Sequence, residues 1–188
     1  MILDDDFLTE EEIKIFRDAA LNFNKEPWFF AYRTSEEDNN GFAVEDSKTS
    51  ESFQMVCPVN PNTPVYFHVL KIFNRFMDKH DIKYSEIHRI KFNILPMSNN
   101  SPDAYHTPHI DSDKEHGVFL YYVNDSDGDT FFFNETFRKD LKPESFTIRQ
   151  RVSPKAGRAV VFDGSIYHAS SSPNKSPMRV ILNVDYIT

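Results

Sequence analysis

Two side chains in the middle of the chain have the types and the spacing of ligands for a divalent metal ion. His109 and Asp111 are separated by one residue, and residues at positions i and i+2 of a β-strand project from the same face. An imidazole and a carboxylate side by side offer two ligand atoms to one ion. Because such pairs are common by chance, the prediction of a metal site depends on further ligands elsewhere in the sequence.

A third candidate ligand and a candidate anion-binding residue follow later in the chain. His168 comes after an apolar run and a short Asp-Gly-Ser turn, which would place it on a structured rim. Two histidines and one carboxylate form the ligand set that binds non-haem Fe(II) and leaves coordination positions open. Arg179 begins an apolar strand, where a guanidinium needs an anionic partner because burying an unpaired charge is costly. A dicarboxylate cosubstrate, or a salt bridge to Asp163 or Asp185, would provide that partner.

The elements that must position these residues are helices first and strands afterwards. Residues 9–23 are predicted to form a helix, because Thr9 and Glu12 make a capping-box pattern before apolar residues at helical spacing. Residues 65–80 predict a second amphipathic helix. Strands are predicted at 28–32, 90–94, 118–123, 130–133, 146–152, 158–162 and 178–186, with short strands around His109 and His168. The order indicates a mainly β fold with N-terminal helices, a β-sandwich or jelly roll in one domain.

The composition limits the class of protein. A chain of 188 residues fits one domain with its own core, and the single cysteine, Cys57, excludes an intramolecular disulfide and a multi-cysteine zinc site. No apolar run approaches the ~20 residues of a membrane span, and the acidic N-terminus is unlike a secretory leader. We therefore expect a cytoplasmic protein, and the abundance of Asn, Lys, Ile and Phe suggests a bacterial or phage source. The net charge of −8 disfavours nucleic acid as a partner.

From about Arg89 to Tyr186 the chain resembles the Fe(II)/2-oxoglutarate-dependent oxygenases, in particular their prolyl-4-hydroxylase-like branch. The matching segments are, in order, PHID, FLYYVN followed by DGDT, VSPKAGRAVVF, YHAS and RVILNVDY. The resemblance implies a double-stranded β-helix core of the jelly-roll or cupin-like type. It also implies one oxygenase domain over residues 1–188, with helical support and a lid region in 1–85 and the core in 86–188.

The same resemblance implies a role for each residue of the site. His109, Asp111 and His168 would bind Fe(II). Arg179 would pair with the C5 carboxylate of 2-oxoglutarate, and Tyr122 would either hydrogen-bond that carboxylate or serve as a core aromatic. The implied cosubstrates are 2-oxoglutarate and O2, with ascorbate as a further requirement.

The implied reaction is hydroxylation of a C–H bond with release of succinate and CO2. A peptidyl proline is the first candidate substrate, and a free amino acid or another protein side chain is the second. A non-enzymatic jelly-roll binding module is the alternative to an enzyme. A nucleic-acid repair oxygenase ranks below these because the acidic sequence has no basic stripe.

The remaining polar segments around the motif carry weaker expectations. Residues 34–52 are predicted to be a solvated loop, with an ordered lid as the alternative. If the substrate is a peptide, this loop and residues 98–105 would be the lids, and Trp28 or Arg33 would line the groove. His106 has the opposite strand parity to His109 and is predicted to face away from the metal. His116, before a glycine, is predicted to lie in a solvated turn.

Overall fold

The computed structural model describes residues 1–35, 41–101, 103–139 and 141–188. Within these ranges strands outnumber helices, and most of the strands follow residue 85. The elements are β1 (Ile2–Asp4), α1 (Glu10–Ala20), β2 (Phe29–Ala31), β3 (Gln54–Pro58), α2 (Tyr66–Lys79), β4 (Glu86–Pro96), β5 (Gly117–Tyr122), β6 (Thr130–Thr136), β7 (Ile148–Val152), β8 (Ala159–Asp163), β9 (Ile166–Ser170) and β10 (Met178–Ile187).

The strands form two antiparallel sheets that pack face to face. The large sheet has the order β1-β8-β5-β10-β4-β3-β2, and the small sheet has the order β7-β6-β9. Apolar side chains from both sheets meet between them, for example Phe132 of β6 against Phe162 of β8, with ring centroids 4.9 Å apart. This is the jelly-roll arrangement of a double-stranded β-helix, so the predicted fold class is confirmed.

The two helices cover the outer face of the large sheet. In α1 the capping box predicted from Thr9 and Glu12 is present, with both reciprocal hydrogen bonds formed. The buried face of α2 includes Phe73 and Phe76, whose rings pack against Phe119 of β5 with centroids 5.4 and 5.2 Å apart. The large sheet is therefore buried on both faces, by helices on one side and by the small sheet on the other. Among the described residues, no helix has the length and apolarity needed to cross a membrane.

Strand alternation decides which side chains enter the space between the sheets. All six residues of β5 are buried. Phe119 and Tyr121 pack with the helices, whereas Leu120 and Tyr122 belong to the cluster between the sheets. Tyr122 is thereby directed toward the interior in which the predicted site lies.

Part of the predicted solvated loop is ordered and buried. In the described residues 41–52, Ala43 and Val44 are each only 2% exposed, and Ala43 forms a β-bridge with His109. The expectation of a solvated loop is wrong for this stretch, because its polar side chains pair with the segment that carries the metal motif. The hydroxyl of Tyr105, for instance, donates to Asp46 at 2.6 Å. Residues 36–40 of the same loop, and residue 102 of the other suggested lid, lie outside the described residues.

Two short strands near the N-terminus were not predicted. β1 pairs with β8 and forms one edge of the large sheet, and β3 lies between β4 and β2. Strands from the first 85 residues therefore extend the same sheet that carries the core. Neither strand has enough alternating residues for its period to be recognised locally, so pairing with distant strands determines their structure.

Candidate active site

The inner face of the large sheet lines a cavity that opens to solvent, with about 500 Å³ of empty space when its mouth is included. Directly opposed residues of antiparallel strands project from the same face, so the register of β4 against β10 defines successive rungs across the cavity wall. In order these rungs are Leu95 with Arg179, Asn93 with Ile181, Lys91 with Asn183, and Arg89 with Asp185. The next strand, β5, adds Tyr122, Leu120 and Val118 to the last three rungs.

The three predicted metal ligands meet in this cavity. One ligand atom from each of His109, Asp111 and His168 lies within 4.8 Å of the others. Nε2 of His168 is 3.4 Å from Oδ2 of Asp111, and the two imidazole centroids are 4.7 Å apart. The structure thus brings together an N2O set of donors around one point, which is a geometry that can hold a divalent ion.

Backbone pairing orients the two imidazoles. A short strand was expected around His109, but this residue lies in an isolated β-bridge. Its backbone amide donates to the carbonyl of His168 in β9 at 2.9 Å, and the amide of His168 donates to the carbonyl of His109 at 3.0 Å. Nδ1 of His109 is 2.9 Å from the Thr107 carbonyl, and Nδ1 of His168 is 3.2 Å from the Ile166 carbonyl. With each Nδ1–H donated to a carbonyl, Nε2 of both rings is available as a metal ligand.

The protonation states suit metal binding. Burial, followed by the neighbouring His168, lowers the pKa of His109 to about 4. Burial alone would raise the pKa of Asp111, but the hydrogen bond with His168 and the nearby cations hold it well below its usual range. At neutral pH the site therefore presents a neutral His109 and an ionised carboxylate, the forms that ligate metals.

Asp111 is surrounded by cationic and amide groups that sequence reasoning missed. Arg89 forms an ion pair with Oδ1 of Asp111, and Lys91 Nζ lies 3.8 Å from the same oxygen. Nδ2 of Asn183 donates to Oδ2 at 3.3 Å. Arg89 also pairs with Asp185 through its Nε at 2.7 Å. The salt bridge predicted as an alternative for Arg179 is thus made by Arg89 to Asp185 instead.

Arg179 occupies the other end of the cavity, where it is 1% exposed. Its Nη2 donates to Oγ1 of Thr130 at 2.6 Å, and the same oxygen accepts the Tyr122 hydroxyl at 2.7 Å. Arg179 forms no ion pair with any described carboxylate, so neither Asp163 nor Asp185 is its partner. Its Nε is buried without a hydrogen-bond partner. A buried guanidinium with an unpaired N–H fits an incoming carboxylate.

Thr130 is a further residue of this end that the sequence did not reveal. It lines the cavity with Arg179 and links it to Tyr122, whose pKa is raised by burial so that the phenol stays a donor. The sequence feature that could have identified Thr130 is its hydroxyl at the start of the otherwise Phe-rich strand β6. Its partners become recognisable only once the strands are paired.

His106, His116 and Trp28 contact residues other than the three candidate metal ligands. The ring nitrogens of His106 contact the hydroxyls of Ser170 and Ser172 at 3.0 and 3.2 Å. His116 is only 5% exposed, so the prediction that it lies in a solvated turn is wrong. Its ring packs on Gly164, where an added Cβ would lie 2.2 Å from the imidazole. Trp28 packs against Phe92, which belongs to the helix-covered core rather than to the cavity.

Comparisons with known proteins agree with this fold. No protein-family model and no curated sequence matches the chain. A structure of a 2OG-Fe(II) oxygenase family oxidoreductase from Burkholderia pseudomallei matches with a TM-score of 0.63 and 13% identity, covering 99% of this chain and 84% of that one. A Pseudomonas putida prolyl-4-hydroxylase matches with a TM-score of 0.59 and 14% identity, covering 100% of this chain and 92% of that one.

A third similar structure is that of an epimerase. It is the non-haem α-ketoglutarate-dependent epimerase SnoN from nogalamycin biosynthesis, with a TM-score of 0.67 and 10% identity, covering 99% of this chain and 77% of that one. The chain therefore has the fold of the 2OG-Fe(II) oxygenases, and the resemblance found in the sequence is confirmed at the level of fold. At these identities the likeness shows the fold alone.

Proposed function

We propose that this chain is an Fe(II)- and 2-oxoglutarate-dependent dioxygenase that hydroxylates a C–H bond with release of succinate and CO2. The observation that carries the proposal is one cavity with two complementary ends. The His109, Asp111 and His168 side chains converge at one end, and Arg179, which has no anionic partner among the described residues, lies at the other.

The three converging side chains would hold the iron. Their donor set, two imidazoles and one carboxylate, is the set that suits Fe(II) with open positions. Both imidazoles have Nδ1 occupied by a carbonyl, which fixes the tautomer and the ring orientation before any ion arrives. Bound Fe(II) would supply the activation of O2 for which no side chain is suited.

The opposite end would bind the far carboxylate of 2-oxoglutarate. Arg179 offers a charge-assisted donor pair, and the Thr130 hydroxyl lies beside it in the same wall. Apolar side chains surround this end and keep water from competing for the guanidinium. Leu95 lies directly opposite Arg179, and Ile181 lies on the next rung.

Two classes of substrate follow from the resemblance. A peptidyl proline is the first candidate, and the likeness in fold to a prolyl-4-hydroxylase supports it. The polar and charged side chains beside the metal ligands, Lys91, Asn93 and Asn183, support the second class. A prolyl ring would need apolar or aromatic contacts, and Phe162, whose ring centroid lies 5.0 Å from that of His168, is an aromatic side chain on that side of the cavity.

An anaerobic titration tests the proposed function. Fe(II) and 2-oxoglutarate together should give a visible metal-to-ligand charge-transfer band, and Zn(II) in place of Fe(II) should give none. Admission of O2 should bleach the band and produce succinate, and repeating the turnover with and without ascorbate would show whether ascorbate is required. The absence of the band with Fe(II) would contradict the proposal and favour a non-enzymatic binding module.

A further inference from the structure

We infer that the metal end of the cavity binds a substrate with a free carboxylate, with free amino acids as the substrate class, and that Lys91 binds this carboxylate. The inference rests on the proposed function, because it concerns the organic substrate of the same site. It makes Lys91 a residue that determines substrate specificity.

Lys91 has a charge that the chain leaves only weakly compensated. It lines the cavity from β4, directly across from Asn183 of β10. Its one ion-pair partner among the described residues is Asp111, at 3.8 Å, which is longer than a hydrogen bond. Asp111 is held more closely by Arg89, which also contacts Asp185. Arg89 thus has two carboxylate partners, whereas Lys91 shares one.

Metal binding increases the positive charge around Lys91. Arg89 and Lys91 together carry two positive charges, which Asp111 and Asp185 balance before any ion arrives. A divalent ion on Asp111 adds two more, and only one of the two carboxylates of 2-oxoglutarate would lie at this end, because the other is assigned to Arg179. Because Asp111 would then share its charge with the metal, the ammonium of Lys91 is left with less compensation, and a second anion beside it is favoured.

The amide groups next to Lys91 complement the other end of an amino acid. Nδ2 of Asn183 is donated to Asp111, and Nδ2 of Asn93 is donated to Oε1 of Gln54 at 2.6 Å. Gln54 is itself fixed, because its Nε2 donates to the carbonyls of Arg33 and Thr34 at 2.9 and 3.1 Å. The oxygens Oδ1 of Asn93 and Asn183 are therefore the free ends.

Those two oxygens are buried without a partner. An unsatisfied buried acceptor is costly unless a ligand supplies a donor. One ammonium and two amide oxygens in the same cavity match a carboxylate and an ammonium on one small molecule. A blocked peptidyl proline would bring neither charge to this place.

Substrate binding can be measured without turnover. The protein loaded anaerobically with Fe(II) and 2-oxoglutarate is titrated with the common L-amino acids, their α-amides and a proline peptide blocked at both ends. Calorimetric heat and the change in the visible absorption of the iron are recorded. At least one free amino acid should bind, and its α-amide should bind at least roughly tenfold more weakly.

Variants of Lys91 identify the anion that it binds. Lys91→Met should weaken amino acid binding by about 10- to 100-fold and remove the preference over the amide, and Lys91→Arg should retain most of both. Affinity for 2-oxoglutarate should change by less than about threefold, since Arg179 is the residue assigned to that dianion. The matched control is Lys83→Met, which removes a side chain that is 86% exposed and should change neither affinity.

The possible failures are distinguishable. If the blocked peptide binds and no free amino acid does, or if acid and amide bind equally, the inference is overturned while the proposed function stands. If Lys91→Met weakens 2-oxoglutarate instead, the anion at Lys91 is the cosubstrate, and the inference is again wrong. If neither class binds, it also fails. If the unaltered protein shows no charge-transfer band with Fe(II) and 2-oxoglutarate, the proposed function itself is contradicted.

Discussion

The two ends of the cavity are built from the same strands but differ in how their charges are compensated. At the metal end, Arg89 and Lys91 face Asp111 and Asp185, so the chain supplies both signs. At the other end, Arg179 is only 1% exposed, donates to the Thr130 hydroxyl and lies 5.8 Å from the centroid of the Tyr122 ring, with no ion-pair partner among the described carboxylates. Charges that are paired within the chain hold one another's side chains in place. A buried charge that has no partner in the chain leaves a position for a charged ligand.

The largest expected effect comes from breaking the compensated end. Asp111→Ala removes a metal ligand and leaves Arg89 and Lys91 facing each other without their shared carboxylate. Fe(II)-dependent succinate formation should fall below detection, and the free energy of unfolding should fall by about 3–5 kcal/mol. Succinate assays and denaturant unfolding measure the two effects. Asp113→Ala is the matched control, because that exposed carboxylate lies two residues away; retained turnover in Asp111→Ala would refute the ligand set.

The next effect comes from the uncompensated end. Arg179→Leu should raise the concentration of 2-oxoglutarate required by roughly 30- to 900-fold, which corresponds to about 2–4 kcal/mol of a charge-assisted pair. Arg179→Lys should lie between, because it keeps the charge and loses the planar fork. Cosubstrate titrations in the charge-transfer band give both values. An unchanged requirement in Arg179→Leu would mean that the buried guanidinium serves the fold alone.

A smaller effect concerns the pH dependence of folding. Burial, together with a smaller effect of the charge of Arg179, lowers the pKa of His106 to about 4, against partial opposition from Glu51. Because this folded-state pKa is below the ~6.5 of an unfolded histidine, the stability that depends on a neutral ring is lost as pH falls from about 6.5 toward 4.

Comparison with a variant isolates the His106 contribution. Between about pH 7 and pH 5, the metal-free protein should lose roughly 1–2 kcal/mol more than His106→Asn does. Denaturant unfolding of both proteins at the two pH values measures this difference. Equal losses would show that His106 is not the titrating group.

The smallest effect separates the two roles considered for Tyr122. Tyr122→Phe removes the hydroxyl that donates to Thr130 and keeps the ring between the sheets. The loss of one neutral hydrogen bond should raise the 2-oxoglutarate requirement by about 2- to 10-fold. A stopped-flow or equilibrium titration of the variant measures it. No change in this requirement would leave Tyr122 as a core aromatic only.

Residue type and order along the chain were enough to predict four of the residues that line the cavity. The four polar residues lie among predicted strands: His109, Asp111, His168 and Arg179. Burying such a side chain without a partner costs free energy, so their presence there predicted a metal ion or an anion as the partner. The helix of residues 10–20 was predictable for a related reason. Its capping box and its period are both local.

The rest of the site depends on contacts that no local pattern encodes. The alternation in β4 shows that Arg89, Lys91 and Asn93 share a face, but not that this face lines the cavity while the helices cover the other. Residues 41–52 are likewise held in a defined structure by distant partners. The backbone and side chain of Thr107, for example, both donate to the carboxylate of Glu51. Such long-range pairs outweigh local polarity.

The most direct test of the two-ended cavity is a crystal structure with Mn(II) and 2-oxoglutarate under anaerobic conditions. Mn(II) takes the same ligand types as Fe(II) without turnover. The account predicts metal density at His109, Asp111 and His168, and a carboxylate of the cosubstrate against Arg179. Metal bound elsewhere, or a cosubstrate that leaves Arg179 in contact with Thr130 alone, would contradict it.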